Sequence, residues 1–244
     1  MKIIVCKDYE EMSKKAAIVV KDVIGRYHRP KLGLATGSTP EGLYKELIKM
    51  YEDGDLNFIN AESVNLDEYV GIDESNDQSY HYYMQKNLFD KINIRPENIH
   101  IPRADKGDTE LAIQSYNEEL DLVGRRDIQV LGIGNNGHIA FNEPDSKLNL
   151  RTSIVELTED TIKANSRFFD NIEDVPQSAI SMGIKDILNA EVILILASGE
   201  KKQKAVKELI EGKMIDPKFP ASMLHLHNNV VLVVDEDAYG AVAR

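Results

Sequence analysis

Cysteine is nearly absent. The 244-residue chain holds one, Cys6, which excludes an intramolecular disulfide and a thiolate metal cluster. Cys6 ends the apolar run Ile3-Ile4-Val5-Cys6, a setting for a buried structural thiol rather than a reactive one. Long apolar runs are missing as well: the longest, residues 192–197, falls far short of the roughly 20 residues that a membrane span needs. Only four apolar residues, Ile3 to Cys6, stand before Lys7 and Asp8, too few for a signal-peptide core, so a cytoplasmic location is expected. Positive charge is in deficit. The 29 Lys and Arg against 41 Asp and Glu leave a formal net charge of −12, which disfavours non-specific binding to nucleic acid or to an anionic membrane. A phosphate can still bind such a chain where a few cations and backbone N–H groups converge. Linkers, repeats and low-complexity tracts are also lacking, and an apolar fraction of 42% is enough for a core. One domain over residues 1–244 is expected.

What is present is an alternation of short apolar strands with helical patterns. Residues 2–6, 31–35, 63–66, 128–131, 192–197 and 230–234 read as strands, several of them apolar on both faces. Helices are expected after Asp8, over 40–51 with Pro40 at the first position, and over 79–91, 109–123 and 200–211. Asp8 followed by Glu11 predicts a capping box. The alternation implies an α/β fold of three αβα layers, doubly wound and Rossmann-like, around a mostly parallel sheet. Residues 94–107 and 142–174 read as irregular, with room for an excursion or a lid.

In such sheets ligands bind beyond the carboxyl ends of the strands, so the segments that follow each strand carry the functional reading. After residues 31–35 comes Thr36-Gly37-Ser38-Thr39-Pro40, a small hydroxyl-rich turn into a helix. It fits an anion site at a helix start and equally an ordinary turn capped by Thr39. After residues 63–66 come Asp67 and Glu68: either a carboxylate poised as a general base or a solvated acidic loop. After residues 128–131 comes Gly132-Ile133-Gly134-Asn135-Asn136-Gly137-His138, a match to the dinucleotide pattern G-x-G-x-x-G. That pattern needs a helix to open at once, and Pro144 follows too soon. The segment instead gathers Asn136, His138 and Glu143, which suits a proton relay in which a carboxylate orients an imidazole. Arg167 and Lys202 are candidate cations to complete a phosphate clamp with the turn at Gly37, Ser38 and Thr39. The pair His225 and His227 lacks a recognisable third metal ligand and reads as a structural turn.

Together, LGLATGSTPEGLY, NLDEYVG, LGIGNNGHIAFNEP and NSRFFD resemble, in order and spacing, the glucosamine-6-phosphate deaminase (glucosamine-6-phosphate isomerase) family along essentially the whole chain. The resemblance implies conversion of glucosamine 6-phosphate and water to fructose 6-phosphate and ammonia, with no metal or organic cofactor. By position, Asp67 resembles the base that moves the proton from C2 to C1. His138 resembles the group that moves the ring-oxygen proton when the pyranose opens, with Glu143 holding it. Asn136 stands where many members carry Asp, so more of the ring-opening burden is expected on Glu143. Gly37, Ser38, Thr39, Arg167 and Lys202 match the phosphate-binding positions, with Ser38 replacing a common glycine.

Longer, allosterically activated members carry basic residues where this chain has Ser153 and Val155, and continue past the position of Arg244. Strong activation by N-acetylglucosamine 6-phosphate is therefore not expected. The resemblance leaves a homo-oligomer open. The alternatives are a 6-phosphogluconolactonase-like hydrolase on the same scaffold and a non-catalytic sugar-phosphate sensor. Against the sensor stand the acidic net charge and the lack of a helix-turn-helix extension.

Overall fold

A computed structural model describes residues 1–104, 108–158, 162 and 175–242. Its main sheet holds seven parallel strands: β1 (Lys2–Cys6), β2 (Lys31–Leu34), β3 (Glu62–Asn65), β5 (Ile99–His100), β6 (Arg126–Gly132), β9 (Ala190–Ala197) and β10 (Val230–Asp235). Their order is β1-β10-β9-β6-β2-β3-β5, with helices on both faces. The central strands explain themselves. Every residue of β10, and all of β9 but Glu191, is buried, as strands covered on both faces require. A second, antiparallel sheet of β4 (Asp67–Tyr69), β8 (Ser178–Ser181) and β7 (Ser153–Glu156), in the order β4-β8-β7, stands apart from the first. The sequence did not announce it.

The described α-helices are α1 (Tyr9–Ile24), α2 (Glu41–Glu52), α3 (Tyr80–Asn87), α4 (Thr109–Val123), α5 (Ile184–Leu188), α6 (Gln203–Glu211) and α7 (Glu236–Tyr239). Asp8 caps α1, its Oδ1 accepting from Glu11 N at 2.8 Å. The return bond of Glu11 goes to Lys7 N at 2.9 Å, one residue before the usual partner. Pro40 sits at the cap of α2 rather than inside it, and no side chain caps that helix, so the ordinary turn capped by Thr39, the alternative to an anion site, is not what forms. The helix expected over 79–91 breaks at Leu88, whose φ of −141° and ψ of −61° are not helical, and resumes as a 3-10 turn at Phe89–Lys91. Likewise Glu200–Lys202 is a 3-10 turn before α6. The segments read as irregular contain β5 and β7. Residues 105–107, 159–161 and 163–174 lie outside the described residues, and the lid expected near 142–174 falls largely there.

From β2 the chain runs outward to β3 and β5, then returns to the other side of β2 to lay down β6, β9 and β10. The direction reverses between β2 and β6. Beyond the carboxyl ends of these two strands lies the crevice where open α/β sheets bind ligands. The loop after β3 flanks it on one side and the loop after β9 on the other.

Candidate active site

The turn after β2 is shaped by three phenols from three helices. Tyr44 donates to Ala35 O at 2.5 Å, Tyr83 to Gly37 O at 2.6 Å and Tyr9 to Ser38 O at 3.0 Å. Gly37 takes a φ of +91°, which only glycine adopts without cost. With its carbonyls tied back, the turn offers the N–H groups of Gly37, Ser38 and Thr39, which donate to no protein acceptor among the described residues. Free N–H groups beside the uncapped start of α2 form an anion-binding concavity.

Asp67 and Glu68 are not a solvated loop. They open β4 and are 6% and 2% exposed. The Asp67 carboxyl is pushed up to about 8, first by burial and then by the charge of Glu68. Glu68 turns to the start of α3, where it accepts from the backbone N–H groups of Tyr80 and His81. Sequence reasoning missed this partnership, because it joins positions 12 and 13 residues apart across an irregular loop.

The loop after β6 opens no helix. Gly137 N donates to Gly134 O at 3.0 Å and Gly134 N to His138 O at 2.8 Å, folding the segment back on itself. The His138 ring lies against Gly134, where a Cβ would stand 2.4 Å from it. Gly137 combines a φ of +86° with an approach to the Phe219 ring that would leave an added Cβ at 2.1 Å. The glycines therefore serve close packing and a reversal of direction, and the dinucleotide pattern is a coincidence of spacing. Asn136, His138 and Glu143 come together as expected. Asn136 Nδ2 donates to Glu143 Oε2 at 2.7 Å, and Asn136 Oδ1 accepts from His138 N at 3.1 Å. His138 Nδ1 lies 3.0 Å from Glu143 Oε1, a close but bent approach that leaves Nδ1 without an in-line partner. Burial pushes the Glu143 carboxyl up, but His138 and Asn136 outweigh it and hold the group below its ordinary range.

The small sheet joins this loop to Asp67. Asp67 pairs with Ser181 across β4 and β8, and Ser181 Oγ accepts from Phe141 N at 3.2 Å. Asn142 Nδ2 donates to Met182 O at 2.8 Å, and Met182 N to Leu66 O at 2.8 Å. Above them Phe141 stacks on Tyr80 at 6.3 Å between centroids, with Tyr69 tilted against both. The Tyr80 hydroxyl donates to Tyr69 Oη at 3.2 Å and hydrogen-bonds the Thr36 side chain, so an aromatic wall spans the space between base and turn.

Lys202 ends the 3-10 turn after β9, two strands from β2. It is half-buried, makes no ion pair among the described residues, and burial lowers its pKa. Arg167 lies outside the described residues. Cys6 is buried and pushed up to about 11 by burial, in keeping with a structural thiol. His227 also proves structural: one ring nitrogen accepts from Asn229 N at 3.1 Å, and the other lies 2.9 Å from Ala190 O. A cavity of about 920 Å³ opens by β5, lined by His81, His100, Arg103 and Glu119 among others. Its charges pair with one another, as in Arg103–Glu74 and His100–Glu119, so the crevice remains the better candidate.

The family described as glucosamine-6-phosphate isomerases/6-phosphogluconolactonase matches residues 8–233. The chain belongs to this family. A glucosamine-6-phosphate deaminase of Clostridioides difficile (strain 630) is 51% identical over 98% of this chain and 95% of its own length. One from Thermoanaerobacter sp. (strain X514) is 50% identical over 98% and 94%. A solved structure of a monomeric glucosamine-6-phosphate deaminase superposes with a TM-score of 0.94 at 44% identity, covering 99% of this chain and all of that one. The 6-phosphogluconolactonase of Thermotoga maritima shares the fold, with a TM-score of 0.76 at 19% identity over 96% of this chain and 99% of that one. Among the described residues, no helix is long and apolar enough to cross a membrane.

Proposed function

We propose that this member of the family is a glucosamine-6-phosphate deaminase, converting glucosamine 6-phosphate and water to fructose 6-phosphate and ammonia. The observation that carries the reading is the placement of a buried carboxyl, Asp67, across a strand pair from the Asn136–His138–Glu143 loop at the switch point of the sheet. The high identity to deaminases, set against the low identity to lactonases, favours it over lactone hydrolysis.

The phosphate binds the N–H groups of Gly37, Ser38 and Thr39, with Lys202 and, by its match to the family motif, Arg167 supplying positive charge. His138 takes the C1 hydroxyl proton and delivers one to the ring oxygen as the pyranose opens. Glu143 stabilises the imidazole, and Asn136 holds Glu143 by its second oxygen. Asp67 then removes the proton from C2 of the open chain. The electron pair forms a C1–C2 double bond while the C1 carbonyl pair moves to O1, which takes up a proton as the ammonium gives one up to become the enamine nitrogen. The same C2 proton then returns from Asp67 to C1 as the nitrogen lone pair forms the C2–N double bond. The product is the C2 imine, which water hydrolyses to the ketone and ammonia. The chemistry needs one carboxyl poised over two carbons and no hydride acceptor. The substrate's ammonium, close to Asp67, favours the ionised carboxylate and offsets the burial that opposes it.

The deciding experiment measures ammonia release from glucosamine 6-phosphate in parallel with hydrolysis of 6-phosphogluconolactone. Ammonia without lactone hydrolysis supports the reading; the reverse result replaces it with the lactonase.

A further inference from the structure

β2 and β3 run paired as far as Leu34 and Asn65, followed by one bond from Leu66 N to Leu34 O at 3.3 Å. Past that point the turn at Gly37 and the strand of Asp67 share no backbone hydrogen bond among the described residues. Helix α3 bridges the gap. At its first residues, Glu68 Oε1 and Oε2 accept from Tyr80 N at 3.0 and 2.9 Å, Oε2 accepts from His81 N at 3.0 Å, and His81 Nδ1 lies 2.9 Å from Oε2. Three residues after Tyr80, Tyr83 donates its hydroxyl to Gly37 O at 2.6 Å. Ser79 caps the helix by accepting from Tyr82 N at 3.0 Å, so both grips lie on one hydrogen-bonded turn.

We propose that α3 is a strut that sets the distance from the phosphate turn to the base, with Glu68 and Tyr83 as positioning residues at its two ends. The inference rests on the deaminase reading. A sugar phosphate held by its phosphate meets Asp67 only at the far end of its carbon chain, so a small drift of either loop moves C1 and C2 off the carboxylate. Misplacement by about 1 Å costs on the order of 100-fold in rate. Phosphate binding itself survives loss of the strut, because Tyr9 and Tyr44 still tie the turn to α1 and α2.

The test compares wild type, Tyr83→Phe, Glu68→Gln and the double variant. In Tyr83→Phe, kcat for ammonia release falls about tenfold, while the inhibition constant of inorganic phosphate stays within about twofold. Glu68→Gln lowers kcat and moves the acid limb of the pH profile to lower pH, because the charge that raises Asp67 is gone. The double variant falls below Glu68→Gln by less than the Tyr83→Phe loss, since a strut released at one end loses less when loosened at the other, and the Tyr80 hydroxyl that reaches Thr36 remains in every variant. Additive losses, an unchanged kcat in Tyr83→Phe, or a fall in phosphate affinity that matches the fall in kcat/KM would each overturn the proposal. A second readout needs no turnover: inorganic phosphate should slow hydrogen exchange at the Tyr80 and His81 amides in wild type but not in Tyr83→Phe. Were wild type to release no ammonia, the deaminase reading would fall, and the exchange comparison would still decide whether α3 couples the two loops. Equal protection in both proteins would refute the strut.

Discussion

Asp67 concentrates the chemistry and also a cost. Replacing it with Asn should lower ammonia release by roughly 10²–10⁴-fold while leaving phosphate-ester binding in place, since general-base catalysis is lost and the anion turn is not. Competitive binding of a non-reacting sugar phosphate, measured beside turnover, checks both halves. The raised pKa also fixes a pH dependence. As the base must be ionised, kcat/KM should rise with pH through about 8 in the free enzyme. The limb in kcat should lie lower, where the bound ammonium favours the carboxylate. For stability the sign is opposite. A carboxyl raised from the ordinary range near 3.8 to about 8 favours the fold while protonated, a contribution present below the lower value and lost as pH climbs through the upper one. Thermal melts at pH 5 and pH 9 should therefore show wild type losing stability relative to Asp67→Asn; equal loss in both would remove Asp67 as the cause. Asp67, Asn136, His138 and Glu143 could be picked from the sequence because each belongs to a post-strand segment of unusual composition. Glu68 was seen only as a neighbour of Asp67, for its partners at Tyr80 and His81 are made by folding and leave no local pattern.

The loop after β6 shows how an element can be read correctly in outline and wrongly by motif. Its glycines match a nucleotide fingerprint, yet what they permit is contact of the His138 ring with Gly134 and of Gly137 with Phe219. Gly134→Ala should push the imidazole from its place near Glu143 and lower turnover by about 10–100-fold, with overpacking costing roughly 1–3 kcal/mol in stability. Denaturant melts and ammonia release separate the two effects; full activity in a folded variant would mean that the ring finds another seat. Apart from β5 (Ile99–His100), which lay in a segment read as irregular, the strands of the main sheet were legible, the central ones because burial on both faces demands unbroken apolar runs such as Val192 to Ala197. The second sheet was not. Its strands Asp67–Tyr69, Ser153–Glu156 and Ser178–Ser181 are short, carry Asp, Glu and Ser, and owe their pairing to one another rather than to an apolar run. That sheet nonetheless brings Asp67 beside the His138 loop.

Across the whole molecule, charge bears on regulation. A phosphate-bearing effector needs cations that are free to meet it, and the chain as a whole carries −12. At β7, the edge of the small sheet, stand Ser153 and Val155, the two positions that the family resemblance sets against basic residues in activated members. One nearby cation is already engaged: Arg151 Nη2 lies 2.9 Å from Asp121 Oδ1, and its Nε lies 3.0 Å from Asp186 Oδ1. Ser153 Oγ accepts from Asn149 at 2.7 Å. Freeing Arg151 to meet a phosphate would take a charged partner from Asp186, a buried carboxyl that would keep only Thr152 N and Oγ1 as donors among the described residues, and losing such a charged hydrogen bond costs about 1.5–3 kcal/mol. An activator would have to supply that energy before it gained anything. Substrate saturation should accordingly be hyperbolic, and N-acetylglucosamine 6-phosphate should leave half-saturation within about twofold, a shift that corresponds to a coupling free energy well under 1 kcal/mol. Initial rates with and without the compound test this, and a large activator-dependent fall in half-saturation would mean that an anion site exists despite the paired arginine.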